Sequence, residues 1–320
     1  MKIAIDIMGG DFAPLATTKG AMLALEHLAP ADTLVLIGDE KQILPIIEEI
    51  KPKHTNFEIL HTEEFIEMGE HPTKAYARKQ NSSIALGFQL LRDNKIEGFA
   101  SAGNTGAMLV GSKLSLAQIP GIIRPCVVSM LPKANGKLGV LLDVGTNVDC
   151  KPEMLVQFAL LGQIISKNVH GIDNPKIALL NVGEEEGKGN ALSIQVFNML
   201  KENQNLNFVG NVEGRDLFND KADVIVCDGF TGNIAIKLAE SIFYMMKKRG
   251  ISDEYFDQFN YERYGGSPVL GVDGNVVIGH GISNATAIKN MILLMKEMAT
   301  VGLVKKIKNT FISIHEQSQS

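Results

Sequence analysis

One arrangement recurs along this chain and restricts what it can fold into. A short apolar run ends abruptly in glycine, small and polar residues, and a helical pattern follows. Ile3 to Asp6 runs into Met8-Gly9-Gly10-Asp11. Gly98 to Ser101 runs into Ala102-Gly103-Asn104-Thr105-Gly106. Val140 to Asp143 runs into Val144-Gly145-Thr146-Asn147. Ile177 to Leu180 runs into Asn181-Val182-Gly183, then Glu184-Glu185-Glu186, then Gly187-Lys188-Gly189-Asn190. Val224 to Asp228 runs into Gly229-Phe230-Thr231-Gly232-Asn233. Strand, glycine-bearing loop and helix in alternation is the pattern of an α/β sheet protein. If the strands lie parallel, these loops share the carboxyl edge of the sheet, where such folds bind ligands. The expectation is a three-layer α/β/α fold with a mostly parallel sheet, built as a single domain over residues 1–320.

The rest of the pattern agrees. Thr33 to Ile37 and Phe57 to Leu60 read as strands, with helices over Thr17 to Leu28 and Glu40 to Ile50. Helices follow over Ser82 to Asn94, Gly103 to Leu116, Pro152 to Lys167 and Ala191 to Leu200. Cys126 to Leu131 and Leu138 to Leu142 flank Asn135-Gly136, a hairpin signal that makes the sheet mixed. Phe208 to Gly210 and Val276 to Ile278 are short strands. Ile234 to Arg249 and Asn284 to Lys308 are long helices. Between those helices, Ile251 to Tyr264 is charged and aromatic and reads as a connecting helix or protrusion. The last residues, HEQSQS, read as a loose polar tail. Glu63 to Ser83 breaks the rhythm. Its Lys74, Arg78 and Lys79 belong either to a solvated helix or to an anion-contacting edge.

Charge and composition remove several function classes. The net charge is −5 and there is no Trp, so no basic excess exists to hold a nucleic-acid backbone. Cys126, Cys150 and Cys227 are scattered and odd in number, which suits a reducing compartment. The run MKIAIDIMGG carries Asp6 and does not read as a signal peptide. No apolar stretch reaches the roughly 18 residues of a membrane span.

Known motifs fail where they are closest. Gly187-Lys188-Gly189 lacks the third glycine and distant acid of a dinucleotide fingerprint. Gly183 to Lys188 is too short for a Walker A loop and has Gly189 where Ser or Thr would hold magnesium. Asp6, Asp11, Asp143 and Asp228 at strand ends read as helix caps and loop anchors, with magnesium as the alternative. Cys227, inside an apolar run, reads as packing, with a thiol nucleophile as the alternative. Lys188 between glycines is an anion hand, against a plain solvated loop. His280, between Gly279 and Gly281, is the histidine best placed for acid–base work.

Taken together, several motifs become specific. They are MGGD at 8–11, SAGNTGA at 101–107, LLDVGTNVDCKPE at 141–153, NVGEEEGKGN at 181–190, NVEGRD at 211–216, DGFTGN at 228–233, and YGGSPVLG with GHGISN within 264–284. In order and spacing they resemble the phosphate acyltransferase family known as PlsX, nearly end to end. The resemblance implies a fold similar to phosphate acetyltransferases and isocitrate-type dehydrogenases. It implies conversion of acyl-[acyl carrier protein] and inorganic phosphate to acyl phosphate and free carrier, for phospholipid synthesis, without a cofactor. It also implies a cytoplasmic homodimer that visits the membrane surface, where the next acyltransferase acts. In many relatives the segment before the YGGSP-type motif is a long helical hairpin with an apolar tip. Here Ile242 to Tyr264 is short and carries Lys247, Lys248, Arg249, Asp253, Glu254 and Asp257, which counts against insertion. A short helical protrusion over about 240–266 is expected to serve dimer contacts. The alternatives are a decarboxylating NAD(P)-dependent dehydrogenase of similar fold and a non-catalytic carrier-binding protein.

On this reading Lys188, Asn233 and His280 are the catalytic candidates. Phosphate and substrate contacts fall to Asp6, Gly9, Gly10 and Asp11, and to Ser101, Gly103, Asn104 and Thr105. Further candidates are Asp143, Asn147, Asn181, Gly183, Glu185 and Asn190, then Asp228, Thr231, Gly232, Ser283 and Asn284. Phosphate is already anionic at neutral pH, so the site needs to desolvate and aim it and to hold a developing oxyanion. The leaving thiol, with a reference pKa of about 8.5, departs with little help. Direct attack without an acyl-enzyme is expected. Lys74-Arg78-Lys79 and Lys247-Lys248-Arg249 are the candidate docks for an acidic carrier.

Overall fold

The computed structural model describes residues 1–317. In chain order the first elements are β1 (Lys2–Asp6), α1 (Leu15–Leu25), β2 (Thr33–Gly38), α2 (Glu40–Ile50) and β3 (Phe57–His61). Next come α3 (Pro72–Arg78), α4 (Ser83–Arg92), β4 (Gly98–Ser101), α5 (Thr105–Ser115), β5 (Cys126–Pro132) and β6 (Leu138–Leu142). Then follow α6 (Pro152–Asn168), β7 (Ile177–Leu180), α7 (Ala191–Glu202), β8 (Phe208–Val212), β9 (Val224–Val226) and α8 (Gly229–Lys248). The chain closes with β10 (Ser267–Leu270), β11 (Asn275–Ile278), α9 (Ala285–Thr300) and α10 (Leu303–Gln317).

These elements form two compact units. The first comprises Met1–Gln118 and Tyr261–Val304, the second Ile119–Asn260 and Lys305–Ser320. The first unit's strands lie in the order β3-β2-β1-β4-β11-β10. All neighbours are parallel except β10, which runs antiparallel to β11. Ile3, Ile5, Leu34, Leu36 and Phe99 are fully buried, as parallel strands covered on both faces must be. Phe88 of α4 meets Phe99 edge-on at 5.2 Å between ring centroids.

The second unit's order is β5-β6-β9-β7-β8, with β5 antiparallel to β6 and the others parallel. The hairpin expected at Asn135-Gly136 is therefore present, with Gly136 at φ +78°. Leu141, Ala178, Val212 and Ile225 form its core together with Cys227. Lys133 is 3% exposed and pairs with Asp223 at 2.7 Å, so its buried charge is matched.

Several boundaries differ from the sequence reading. α8 starts at Gly229, so Asp228-Gly-Phe-Thr-Gly-Asn233 is a helix N-terminus and not a loop. Asp228 caps it, accepting from Thr231 N–H at 2.9 Å. Ser267–Leu270, given no strand in the sequence reading, is the antiparallel strand β10. The final helix is two helices, interrupted at Gly302 with φ +64°. Ile251 to Tyr264 holds only the short turns Phe256–Phe259 and Tyr261–Arg263. Phe259 packs on Phe218 at 4.7 Å. Of the polar tail HEQSQS, residues up to Gln317 continue α10, and 318–320 lie outside the described residues.

Candidate active site

In the first unit the site is organised around Asp6, buried at the end of β1. Its Oδ1 accepts the Met8 N–H at 2.9 Å and its Oδ2 accepts the Ser101 hydroxyl at 2.7 Å. Ser101 Oγ in turn accepts the Gly103 N–H at 2.9 Å. One carboxylate thus fastens the loop after β1 to the loop after its neighbour β4. Burial pushes the Asp6 carboxyl up, and its hydrogen bonds from Ser101 and Met8 oppose that. Gly9 is required by space: a Cβ there would collide with the Asp6 carboxylate and lie 2.7 Å from Gly103 N. Beyond Gly10, the Asp11 N–H donates to Gly281 O at 2.7 Å, which brings in the loop after β11. In that loop the His280 carbonyl accepts both the N–H of Ser283 at 3.0 Å and its hydroxyl at 2.6 Å.

Asn104 caps α5 by accepting from Ala107 N–H at 2.9 Å, while its amide donates to the carbonyls of Glu67, Met68 and Glu70. Asn284 caps α9 through the Ala287 N–H at 3.0 Å. The first unit therefore gathers the nominated residues of three loops. Asp6, Ser101, Asn104 and Ser283 are buried in the framework, Asp11 and Thr105 are exposed, and His280 is half-buried.

In the second unit Asp143, at the end of β6, has the same part. Its Oδ1 accepts Val127 N–H at 3.0 Å, and its Oδ2 accepts the Asn147 N–H at 2.6 Å and the Asn147 amide at 2.9 Å. Burial raises this carboxyl as well. Asn147 O accepts the Gly229 N–H at 2.7 Å, tying this loop to the start of α8. Gly232 presses on the Asp143 carbonyl so closely that no side chain fits there. Asn233 lies over Gly145, with its amide 3.4 Å from Val144 O. These anchors show what the strand-end carboxylates do, since every oxygen of Asp6, Asp143 and Asp228 serves a loop or helix donor. Among the described residues, the ligand-like cluster is instead Asp39, His61 and Glu63. There His61 Nδ1 accepts the Glu40 N–H and Glu63 pairs with Lys41.

The loop after β7 is held differently. The Asn181 amide donates to Lys188 O at 3.0 Å and to Asn211 Oδ1 at 3.2 Å, and the Asn211 amide donates to Glu185 O at 3.0 Å. Gly187 at φ +82° and Gly189 at φ +99° let the chain turn on either side of the lysine. Gly183 is buried beneath the Lys188 stem: a Cβ there would lie 3.1 Å from Lys188 Cγ. Asn190 caps α7, accepting from Ser193 N–H at 2.9 Å.

Two of the three acidic neighbours of Lys188 are engaged elsewhere. Glu184 pairs with Lys221 at 2.7 Å and Arg215 at 3.5 Å, and Glu186 pairs with Lys201 at 2.7 Å. Among the described residues, Lys188 has no ion-pair partner. Asn211, not among the nominated residues, is the peg of this loop; its place in NVEGRD at the end of β8 was the available signal.

The chemistry available is anion binding. Helices α5, α7 and α9 each start with a neutral Asn cap, so their N-terminal dipoles remain uncompensated, whereas Asp228 sets a carboxylate on that of α8. A thiol nucleophile does not fit. Cys227 and Cys126 are buried and pushed well above the usual thiol range by burial and then by neighbouring carboxylates. Cys150 is pushed up to about 11, mainly by burial.

The profile of the fatty acid synthesis protein family matches residues 1–306. The chain belongs to that family. This is the family to which the ordered motifs pointed. The phosphate acyltransferase of Dictyoglomus thermophilum is 45% identical over 96% of each chain. That of Halothermothrix orenii is 42% identical over 96% of this chain and 98% of the relative. Among solved structures, a phosphotransacetylase from Streptococcus pyogenes superposes with a TM-score of 0.68 at 16% identity over 94% of each chain. The EutD phosphotransacetylase from Staphylococcus aureus gives 0.63 at 15% identity, covering 93% of this chain and 94% of that one. At such identities the likeness concerns the fold, which is the α/β/α architecture read from the sequence.

Proposed function

We infer that this family member is an enzyme, a phosphate acyltransferase that moves an acyl group from acyl carrier protein to inorganic phosphate and so supplies phospholipid synthesis. The observation that carries this is the near full-length identity to relatives bearing that name. Their name does not favour the dehydrogenase alternative.

In the reaction a phosphate oxygen attacks the thioester carbonyl carbon, the C–S bond breaks, and the carrier thiolate leaves and takes a proton from solvent. In the second unit Lys188 neutralises phosphate charge and meets the oxyanion, with Asn233 as a donor to the developing charge; His280 is the candidate donor of the first unit. The loops around Asp6 and Asp143 supply backbone N–H groups and rigidity. No residue needs to be acylated, which agrees with the burial of Cys126 and Cys227. Incubation with acyl carrier substrate and phosphate, followed by hydroxylamine trapping, should give hydroxamate that depends on phosphate. Its absence would sink this reading.

We further propose a homodimer with the helical segment at 240–266 and the adjoining α8 in the interface. Phe230, Ile234, Leu238, Ile242 and Met245 form an exposed apolar stripe along α8, at helical spacing. Sedimentation of Leu238→Glu tests it; an unchanged dimer rejects the stripe. The acidic carrier is expected at a basic patch. Lys79 is already tied to Glu70 at 2.6 Å, so in that cluster Lys74 and Arg78 carry the expectation, alongside Lys247-Lys248-Arg249. Charge reversal there should raise KM for the carrier, and the effect should fade with salt. Among the described residues no helix is long and apolar enough to cross a membrane. A transient visit to the membrane surface, from a cytoplasmic location, is proposed from the family resemblance and is testable by vesicle co-sedimentation.

A further inference from the structure

Away from the loops described above, the first unit carries a groove of about 400 Å³ between α1, the segment leaving α2 and the start of α9. Met22, Leu23, Ile50 and Pro52 give it an apolar lining. Lys19, Lys51 and Lys53 also line it, with Glu26 as its one carboxylate. None of these three lysines has an ion-pair partner among the described residues. Two backbone features build the groove. Lys51 takes a left-handed conformation at φ +52° as α2 ends, which turns Pro52 and Lys53 back toward α1. Gly20 lets α1 approach α9 so closely that a Cβ there would lie 2.6 Å from Ala285 O. Ala285 lines the groove and directly follows Asn284, so the groove begins where the His280 loop ends.

Size and lining together select a ligand class. The volume falls in the roughly 300–1,000 Å³ range of small-molecule sites. An apolar trough suits an alkyl chain, whose burial there is favourable in proportion to its length. Lysines with stems along apolar surface and ammonium groups in water suit an anionic head. A flat acidic protein surface would use the charges and leave the trough unfilled. We propose that this groove binds a long-chain acyl anion, its chain on the Met22–Leu23–Ile50–Pro52 lining and its carboxylate or phosphate head among Lys19, Lys51 and Lys53. The choice of an acyl chain over other alkyl anions rests on the acyltransferase reading above.

The test is displacement of a fluorescent fatty acid from the full chain by alkyl carboxylates, alkyl phosphates and alkyl alcohols of increasing length, below their micelle concentrations. Saturable binding is expected, with each added methylene tightening it by up to about fourfold. Comparing the carboxylate and phosphate series shows which head is preferred. Leu23→Asp should weaken every series by about tenfold or more. The pair Lys51→Glu/Lys53→Glu should weaken only the anions, by a similar factor. Both changes are at exposed positions, and urea melts confirm that the variants fold. No saturable binding, or equal affinity in the folded variants, overturns the proposal. Loss of carrier affinity in the charge-reversal pair without any binding of free anions also overturns it, in favour of a protein dock. The hydroxylamine assay, run in parallel with a short-chain acyl carrier substrate, separates the two readings. Anion binding without acyl phosphate formation rejects the acyltransferase and leaves the groove standing. Turnover without anion binding rejects the groove alone.

Discussion

Two loops of the second unit follow β6 and β7, which flank β9 in the same sheet, and are built on opposite plans. The loop at Asp143 is closed. Its carboxylate is fully buried, and its hydrogen bonds to Val127 and Asn147 occupy both oxygens. The loop at Lys188 is open. Its backbone is pegged by Asn181 and Asn211, but its ammonium is exposed, and the nearby Glu184 and Glu186 are engaged by Lys221 and Lys201. A charge whose hydrogen-bonding capacity is filled holds structure, while one left over in an otherwise satisfied loop is available to a ligand. Rows of Asp and Lys at strand ends look alike in sequence, and only their partners separate frame from tool.

The largest expected effect breaks the closed loop. Asp143→Ala leaves buried donors unpaired and should cost about 3 kcal/mol or more in a urea melt. A loss below about 1 kcal/mol would mean the loop does not depend on its carboxylate. Next is the open loop. Lys188→Ala should lower kcat by about 100-fold or more, with stability unchanged within about 0.5 kcal/mol. Lys188→Arg should restore little, because a planar fork does not replace a point charge. A folded Lys188→Ala enzyme with near wild-type kcat would move the leading role to His280 or Asn233.

A third measurement asks whether another buried, titratable group behaves as frame. His170 follows α6, its Nε2 is buried without a partner among the described residues, and burial pushes its pKa down to about 4. The unfolded chain takes up the proton near the ordinary value of 6.5. Its contribution is therefore complete above about pH 6.5 and is lost as pH falls toward 4, by about 3 kcal/mol. His170→Gln should flatten that part of the pH–stability curve; an unchanged slope would place the acid sensitivity elsewhere. The smallest effect sharpens the open loop. Glu184→Gln and Glu186→Gln should each leave kcat within about threefold, since exposed ion pairs contribute little. A tenfold rise would show that these carboxylates restrain Lys188.

Much of this was legible from spacing. The strand-then-glycine runs located β1, β4, β6, β7 and β9, because an apolar run interrupted by Gly and Asn has few other readings. Glu40–Ile50 was read with its observed bounds, and the structure adds that Asp39 caps it. The misses have physical reasons. Gly229 and Gly232 lower helix propensity, yet both are needed where α8 crosses Asn147 and the Asp143 carbonyl, so tertiary packing overrides propensity. Pro268 and two glycines hid β10, which tolerates them as the antiparallel partner of β11. At the site, the Asp228 cap was legible because Asp before a helix has a local meaning, whereas Asn104, Asn190 and Asn284, read as substrate contacts, are helix caps in the structure. The freedom of Lys188 was not legible, since it depends on Lys201 and Lys221, which lie far along the chain from the glutamates they engage.

The way the chain alternates between its two units has a further consequence during synthesis. The first unit takes Met1–Gln118 and then nothing until Tyr261–Val304. Its strand β4 pairs on one side with β1, made earlier, and on the other with β11 at Asn275–Ile278. A nascent chain that has emerged through residue 118 therefore shows a raw strand edge. It must carry that edge while the second unit is being made. At translation rates of about 5–20 residues per second, this interval lasts on the order of ten seconds. Unpaired apolar edges of that duration invite association with other chains, so holding factors at the ribosome should matter more for this protein than its final stability would suggest.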